Sequence, residues 1–202
     1  NLRQGASQIK LMTGGGAASL YDPLDVTEFF EEEIRAAVRA AEDWGTYVMV
    51  HVYNPRGIAR AIAAGVRSIE HGHLIDEPTM ELLAANDVWL SMQAFAVEDN
   101  SYPSPVQQAK HIEITQGTDR TYNLAKKYRV KLAWGTDLLF NPANTKNQNH
   151  GIVKLQKRFM PADPKGRKYI QEQPLKLRRD TDQRPGLAMN PSAVSYTHLR
   201  AH

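Results

Sequence analysis

Apolar positions along the chain fall into two alternating patterns. Short apolar runs are each followed by a stretch with apolar residues every three or four positions, which predicts βα units around a parallel sheet. "SQIKLM" at 7–12 is the first strand. After the loop "TGGGAASLYDP", a long helix is expected from "DVTEFFEEEIRAAVRAAEDWG". There Asp25 and Glu28 are spaced as a capping box, Phe30, Ile34, Ala37, Val38 and Ala41 form one apolar face, and Gly45 is the stop. "TYVMVHVY" is the second strand, and "PRGIARAIAAG" a helix with Pro55 at its start and Gly65 at its end. "VRSIEHG" is the third strand, "DEPTMELLAAND" a helix and "VWLSMQAF" the fourth strand. A polar loop over 98–105 and a helix through about Lys127 then lead to "VKLAWGTDLLF", the fifth. Five strands with helices between them and no hairpin signals place the chain in the α/β class.

Past His150 the pattern breaks. Residues 151–193 are dense in charge and poor in apolar periodicity and read as an irregular basic tail, so the barrel-like unit is assigned to 1–150. The last stretch, "VSYTHLRAH" at 194–202, matches the translation of a common sequencing-library adapter; it reads as an artefact and implies a metagenomic fragment.

Charge sharpens this division. Of the 25 Lys and Arg and 22 Asp and Glu, residues 1–150 carry 14 basic against 18 acidic and the remainder 11 against 4, so the basic balance belongs to the tail. The body has no basic, aromatic-interleaved face for nucleic acid and no run of about 18 apolar residues for a membrane, so neither partner is expected. With no cysteine, any metal must sit on His, Asp, Glu or a modified Lys.

Parallel α/β enzymes gather their chemistry at the C-terminal ends of strands. At those ends stand Lys10, His51, His71 and Asp137, on four different strands. A lone strand histidine is more often a structural residue than a ligand, and "GTD" is a common turn. A lysine inside a strand is different, since a buried ammonium costs several kcal/mol unless neutralised or paired. Together the four suit a metal site: imidazoles and a carboxylate ligate Zn²⁺, whose bound water ionises near pH 7. A lysine joins such a site only as a carbamate formed from its neutral amine and carbon dioxide.

"IKLMTGGG", "VMVHVY", "AIAAGVRSIEHGHLID" and "LAWGTD" resemble the amidohydrolase superfamily over 8–140, and in particular its imidazolonepropionase-related branch, which includes metal-dependent Xaa-Pro dipeptidases and carboxypeptidases. The resemblance implies a partial TIM-type (β/α)8 barrel comprising about strands 4 to 8. It makes Lys10 a carboxylated lysine bridging two Zn²⁺ ions, and His51 and His71 ligands of the second. Asp137 becomes a ligand of the first ion and the general base, then acid. Tyr53 resembles the tyrosine that binds a substrate α-carboxylate, though an aromatic residue at a strand end needs no such role. His73 reads as an outer neighbour of the site, and His111 and His150 as surface residues.

The family's His-x-His pair on its first strand is absent before Lys10, so the chain reads as a truncated, inactive fragment of an enzyme that is homo-oligomeric when full length. The implied reaction is hydrolysis of a peptide or N-acyl amino acid amide bond by metal-activated hydroxide. The alternatives are an imidazolonepropionase-like cyclic amide hydrolase or a non-catalytic βα scaffold. The "GGG" loop lacks the Lys-Ser/Thr of a phosphate-binding P-loop.

Overall fold

The computed structural model describes residues 1–137 and 148–159. Five strands form one parallel sheet in sequential order: β1 (Ile9–Met12), β2 (Val48–Val52), β3 (Ser68–His71), β4 (Trp89–Met92) and β5 (Leu132–Trp134). Helices α1 (Glu31–Asp43), α2 (Pro55–Ala63), α3 (Glu77–Ala85) and α4 (Pro105–Tyr128) occupy the connections, and α5 (Gln148–Phe159) follows β5. Sequential parallel order with a helix in each crossover is the arrangement of a partial TIM-type barrel. Among the described residues no helix is long and apolar enough to cross a membrane.

Register divides the sheet into two faces. Leu11, Val50 and Ile69 share one row with Leu90 and Leu132, and all five join the core made with Ile34, Val38, Ile58, Met80 and Leu83 of the helices. The other face carries Lys10, Met49 and Ser68 in one row and Met12, His51, Glu70, Ser91 and Ala133 in the next. Strands that pack on helices with one face and turn alternate residues to the other have the layering of a barrel wall.

Caps fix where the helices begin. Asn54 and Asp76 accept from Gly57 N and Thr79 N at 2.8 and 3.0 Å, each just ahead of a first-turn proline. The first helix departs from expectation, since α1 starts at Glu31, where Glu33 accepts from Phe30 N at 2.8 Å. The Asp25–Glu28 spacing does not open it, because that segment is used otherwise. Thr27 bridges Gly14 in antiparallel fashion, and Glu28 N donates to Thr13 O at 3.1 Å. Phe30 accordingly stands 73% exposed rather than on the apolar face.

The irregular tail expected from Gly151 is also corrected, as far as Phe159. Leu155 and Phe159, one turn apart, are buried against α4, with Phe159 stacked on Tyr122 at 4.1 Å and Arg158 paired to Asp119 at 2.8 Å. The expectations for residues 160–202, the adapter-like end included, lie outside the described residues.

Candidate active site

Lys10 and His51 lie on the interior face by simple alternation, but His71 does not. Its register partner is Val52, on the helix-facing row, and Glu70 takes the interior position beside His51. His71 adopts φ 76°, a left-handed value unusual outside glycine, and this turn brings its ring to 4.5 Å from that of His51. Tyr53 stacks on His71 at 5.0 Å and meets His51 edge-on at 5.2 Å. Asp137, also left-handed at φ 52°, follows β5 at the rim. Lys10 shares the interior face with His51, and its charge acts to lower the pKa of His51, His71, Glu70 and Asp137 alike.

Neighbouring groups fix the state of each ring. His51 Nε2 lies 3.2 Å from Gly15 O; a carbonyl only accepts, so Nε2 carries the proton and Nδ1 the lone pair. His71 reverses this arrangement: Nδ1 donates to Gln93 Oε1 at 2.8 Å, leaving the lone pair on Nε2. Burial lowers the pKa of His51 to about 4, against the pull of the Gly15 carbonyl and with help from Lys10. Burial likewise takes His71 well below the ordinary value, with His51 and His73 adding to it. Both rings are therefore neutral near pH 7.

The carboxyls move the other way. Desolvation raises the pKa of Asp137, and Lys10 opposes the rise. Glu70 is raised by desolvation despite hydroxyls from Ser91 and Ser68. Among the described residues no three His, Asp or Glu side chains gather as a metal-holding group. The donors present are two neutral imidazoles and a rim carboxylate, beside a lysine that ligates only as a carbamate. Two adjacent imidazoles, each with one nitrogen engaged and a lone pair on the other, are ligand types that suit a divalent ion.

Around this pair, sequence reasoning missed Gln93 and misplaced His111. Gln93 continues the interior alternation of Trp89 and Ser91, which was the available signal. His111 is buried rather than on the surface, its Nε2 3.2 Å from Ala96 O; His150 is exposed as expected. His73 is fully buried, donating from Nε2 to Gln93 O at 3.0 Å. Tyr102 packs in a small cluster with Tyr53, Leu24 and Ile114 beside the mouth.

The sequence model of the amidohydrolase family matches residues 1–155. The chain belongs to this family. Among characterised amidohydrolase relatives, the ochratoxinase of Aspergillus niger is 30% identical over 141 residues, which is 67% of this chain and 29% of that protein. A solved Xaa-Pro dipeptidase with methionine in its active site superposes with a TM-score of 0.75 at 32% identity, covering 90% of this chain and 46% of that one. A prolidase in complex with N-methylphosphonate-L-proline gives 0.65 at 34% identity, covering 77% and 41%. This amidohydrolase chain thus spans less than half the length of each of these three proteins.

Proposed function

We propose that this segment supplies the second half of the barrel of a metal-dependent amidohydrolase that cleaves a peptide or N-acyl amino acid amide bond, in the manner of Xaa-Pro dipeptidases. The observation that carries the reading is the pair of buried, neutral imidazoles, His51 and His71, with rings 4.5 Å apart and lone pairs left on Nδ1 and Nε2 respectively.

His51 Nδ1 and His71 Nε2 would hold one divalent ion, and Asp137 and a carbamate on Lys10 would join a two-zinc set whose remaining ligands, the His-x-His pair, would come from the half of the barrel that this segment lacks. When bound, the metal supplies Lewis-acid activation of water and of the amide carbonyl near neutral pH. Asp137 accepts the proton of the attacking water and returns it to the leaving nitrogen. A carboxyl made more basic by its surroundings suits that exchange. Tyr53, its ring packed against both histidines, offers its hydroxyl to a substrate carboxylate. The Xaa-Pro dipeptidase and prolidase likenesses favour short peptides as substrates, and the ochratoxinase likeness is in keeping with amide hydrolysis.

The test is a complete barrel in which residues 1–159 replace the matching segment of the Xaa-Pro dipeptidase relative, loaded with zinc and assayed on Xaa-Pro dipeptides, N-acyl amino acids and imidazolone rings. Chelator-sensitive release of free amino acid is expected. Turnover of the ring substrate alone would move the function to cyclic amides, and a folded, zinc-loaded chimera inert on all three would overturn the proposal.

A further inference from the structure

Outside the residues already given roles, the most heavily engaged buried charge is Lys110 on α4. Its side chain is 10% exposed. An ammonium so placed is tolerated only if its three donors are used. They are: Nζ donates to Gly16 O at 2.8 Å, Ser19 O at 2.9 Å and Asp22 O at 2.9 Å, with Asp22 Oδ1 at 3.6 Å. All these acceptors belong to the loop that follows β1. Lys110 acts there as a fixed cation around which the loop folds back.

The loop in turn touches His51. Gly15 O is the acceptor of its Nε2–H, and the amide of the next residue, Gly16 N, donates to Asp22 Oδ2 at 3.0 Å. A planar trans peptide points its C=O and N–H in opposite directions, so anchoring Gly16 N–H on Asp22 aims Gly15 C=O at the imidazole. A Cβ on Gly15 would come within 2.0 Å of Pro23 O, so the two limbs of the loop are in contact there. Three consecutive glycines leave this backbone free to rotate unless it is held from outside.

We infer that Lys110 is a positioning residue: by fixing Asp22 and the Gly15–Gly16 peptide, it selects the Nε2–H tautomer of His51 and so keeps Nδ1 turned to the mouth. The consequence for metal binding rests on the proposed function; the tautomer does not. Arginine would not substitute, because its donors diverge from a plane and do not converge three carbonyls on one atom.

The experiment is ¹⁵N NMR of the histidine-labelled 202-residue chain, with zinc titration read at the His51 resonances. Wild type should show the proton on Nε2. Lys110→Met should populate the Nδ1–H form and weaken zinc binding at His51 by 10-fold or more, in the range seen when an outer partner of a ligating histidine is lost. Asp22→Ala, which leaves Lys110 its three carbonyls, should shift the tautomer in the same way, and Asp22→Asn should restore it by keeping an acceptor for Gly16 N–H. If Lys110→Met does not fold, the Asp22 pair decides the matter. An Nδ1–H tautomer in wild type, or folded variants that keep Nε2–H and unchanged zinc affinity, would overturn the inference. The correct tautomer, responsive to the variants but with no zinc uptake, would uphold the positioning and count against the hydrolase reading.

Discussion

A neutral imidazole has one lone pair, and the partner of its other nitrogen decides where that lone pair points. For His71 the partner is Gln93 Oε1, and for His51 it is a backbone oxygen. Gln93→Leu should therefore lower zinc affinity by roughly 10- to 100-fold while leaving the circular dichroism unchanged. Calorimetric titration checks this. In the assembled enzyme, Lys10→Ala, His51→Ala and His71→Ala should lose metal, whereas Asp137→Asn should keep most of it and lose about 10² to 10⁴ in kcat. Metal analysis beside kinetics separates the two classes, and full activity of Asp137→Asn would remove its proton-carrying role. Lys10, His51 and His71 were legible as candidates because polar residues inside apolar runs stand out. The turn that brings His71 inward was not, since strict alternation assigns that place to Glu70 and no sequence pattern announces a φ of 76° at a histidine. Gln93 had only its place in the alternation of Trp89 and Ser91 to mark it, because an amide takes a role only once its partner is known.

At the scale of elements, all five strands and the helices between them follow from periodicity and caps, because each unit's signals are local. Two errors have one physical cause: the deciding contact was remote in sequence. The stretch that looked like the first turn of α1 is drawn away to bridge Gly14, and α5 owes its apolar face to Tyr122 on α4. The same kind of contact makes α4 unusual, for Gly117 sits mid-helix where alanine is normally preferred by about 1 kcal/mol. A Cβ there would lie 2.0 Å from His73 O, which Thr121 Oγ1 also holds at 2.9 Å. Gly117→Ala should thus destabilise the chain, by roughly 1 to 3 kcal/mol, against its helix propensity. Urea denaturation measures it, and a more stable variant would show that α4 is not seated on that carbonyl.

For the molecule as a whole, buried neutral histidines make acid the weak direction. His51 and His73 both have their pKa lowered to about 4, chiefly by burial. Unfolded, each would titrate near 6.5, so below that pH the unfolded chain binds protons that the folded one refuses. Their contribution is complete above about pH 6.5 and is lost as pH falls towards 4, by about 3 kcal/mol per ring at the lower limit. Thermal melts between pH 7.5 and 4.5 should show a falling Tm, and a flat profile would mean that both rings are already solvated. The sequential sheet has a further consequence for how the chain comes to be folded. Each strand pairs with its predecessor, so the sheet accretes one βα unit at a time from contacts of modest separation, an order that suits emergence from a ribosome. The bonds from Lys110 to its three carbonyls span 88 to 94 residues. That closure must wait until α4 has been made, so the loop bearing the acceptor for His51 sets only after the first four strands are in place.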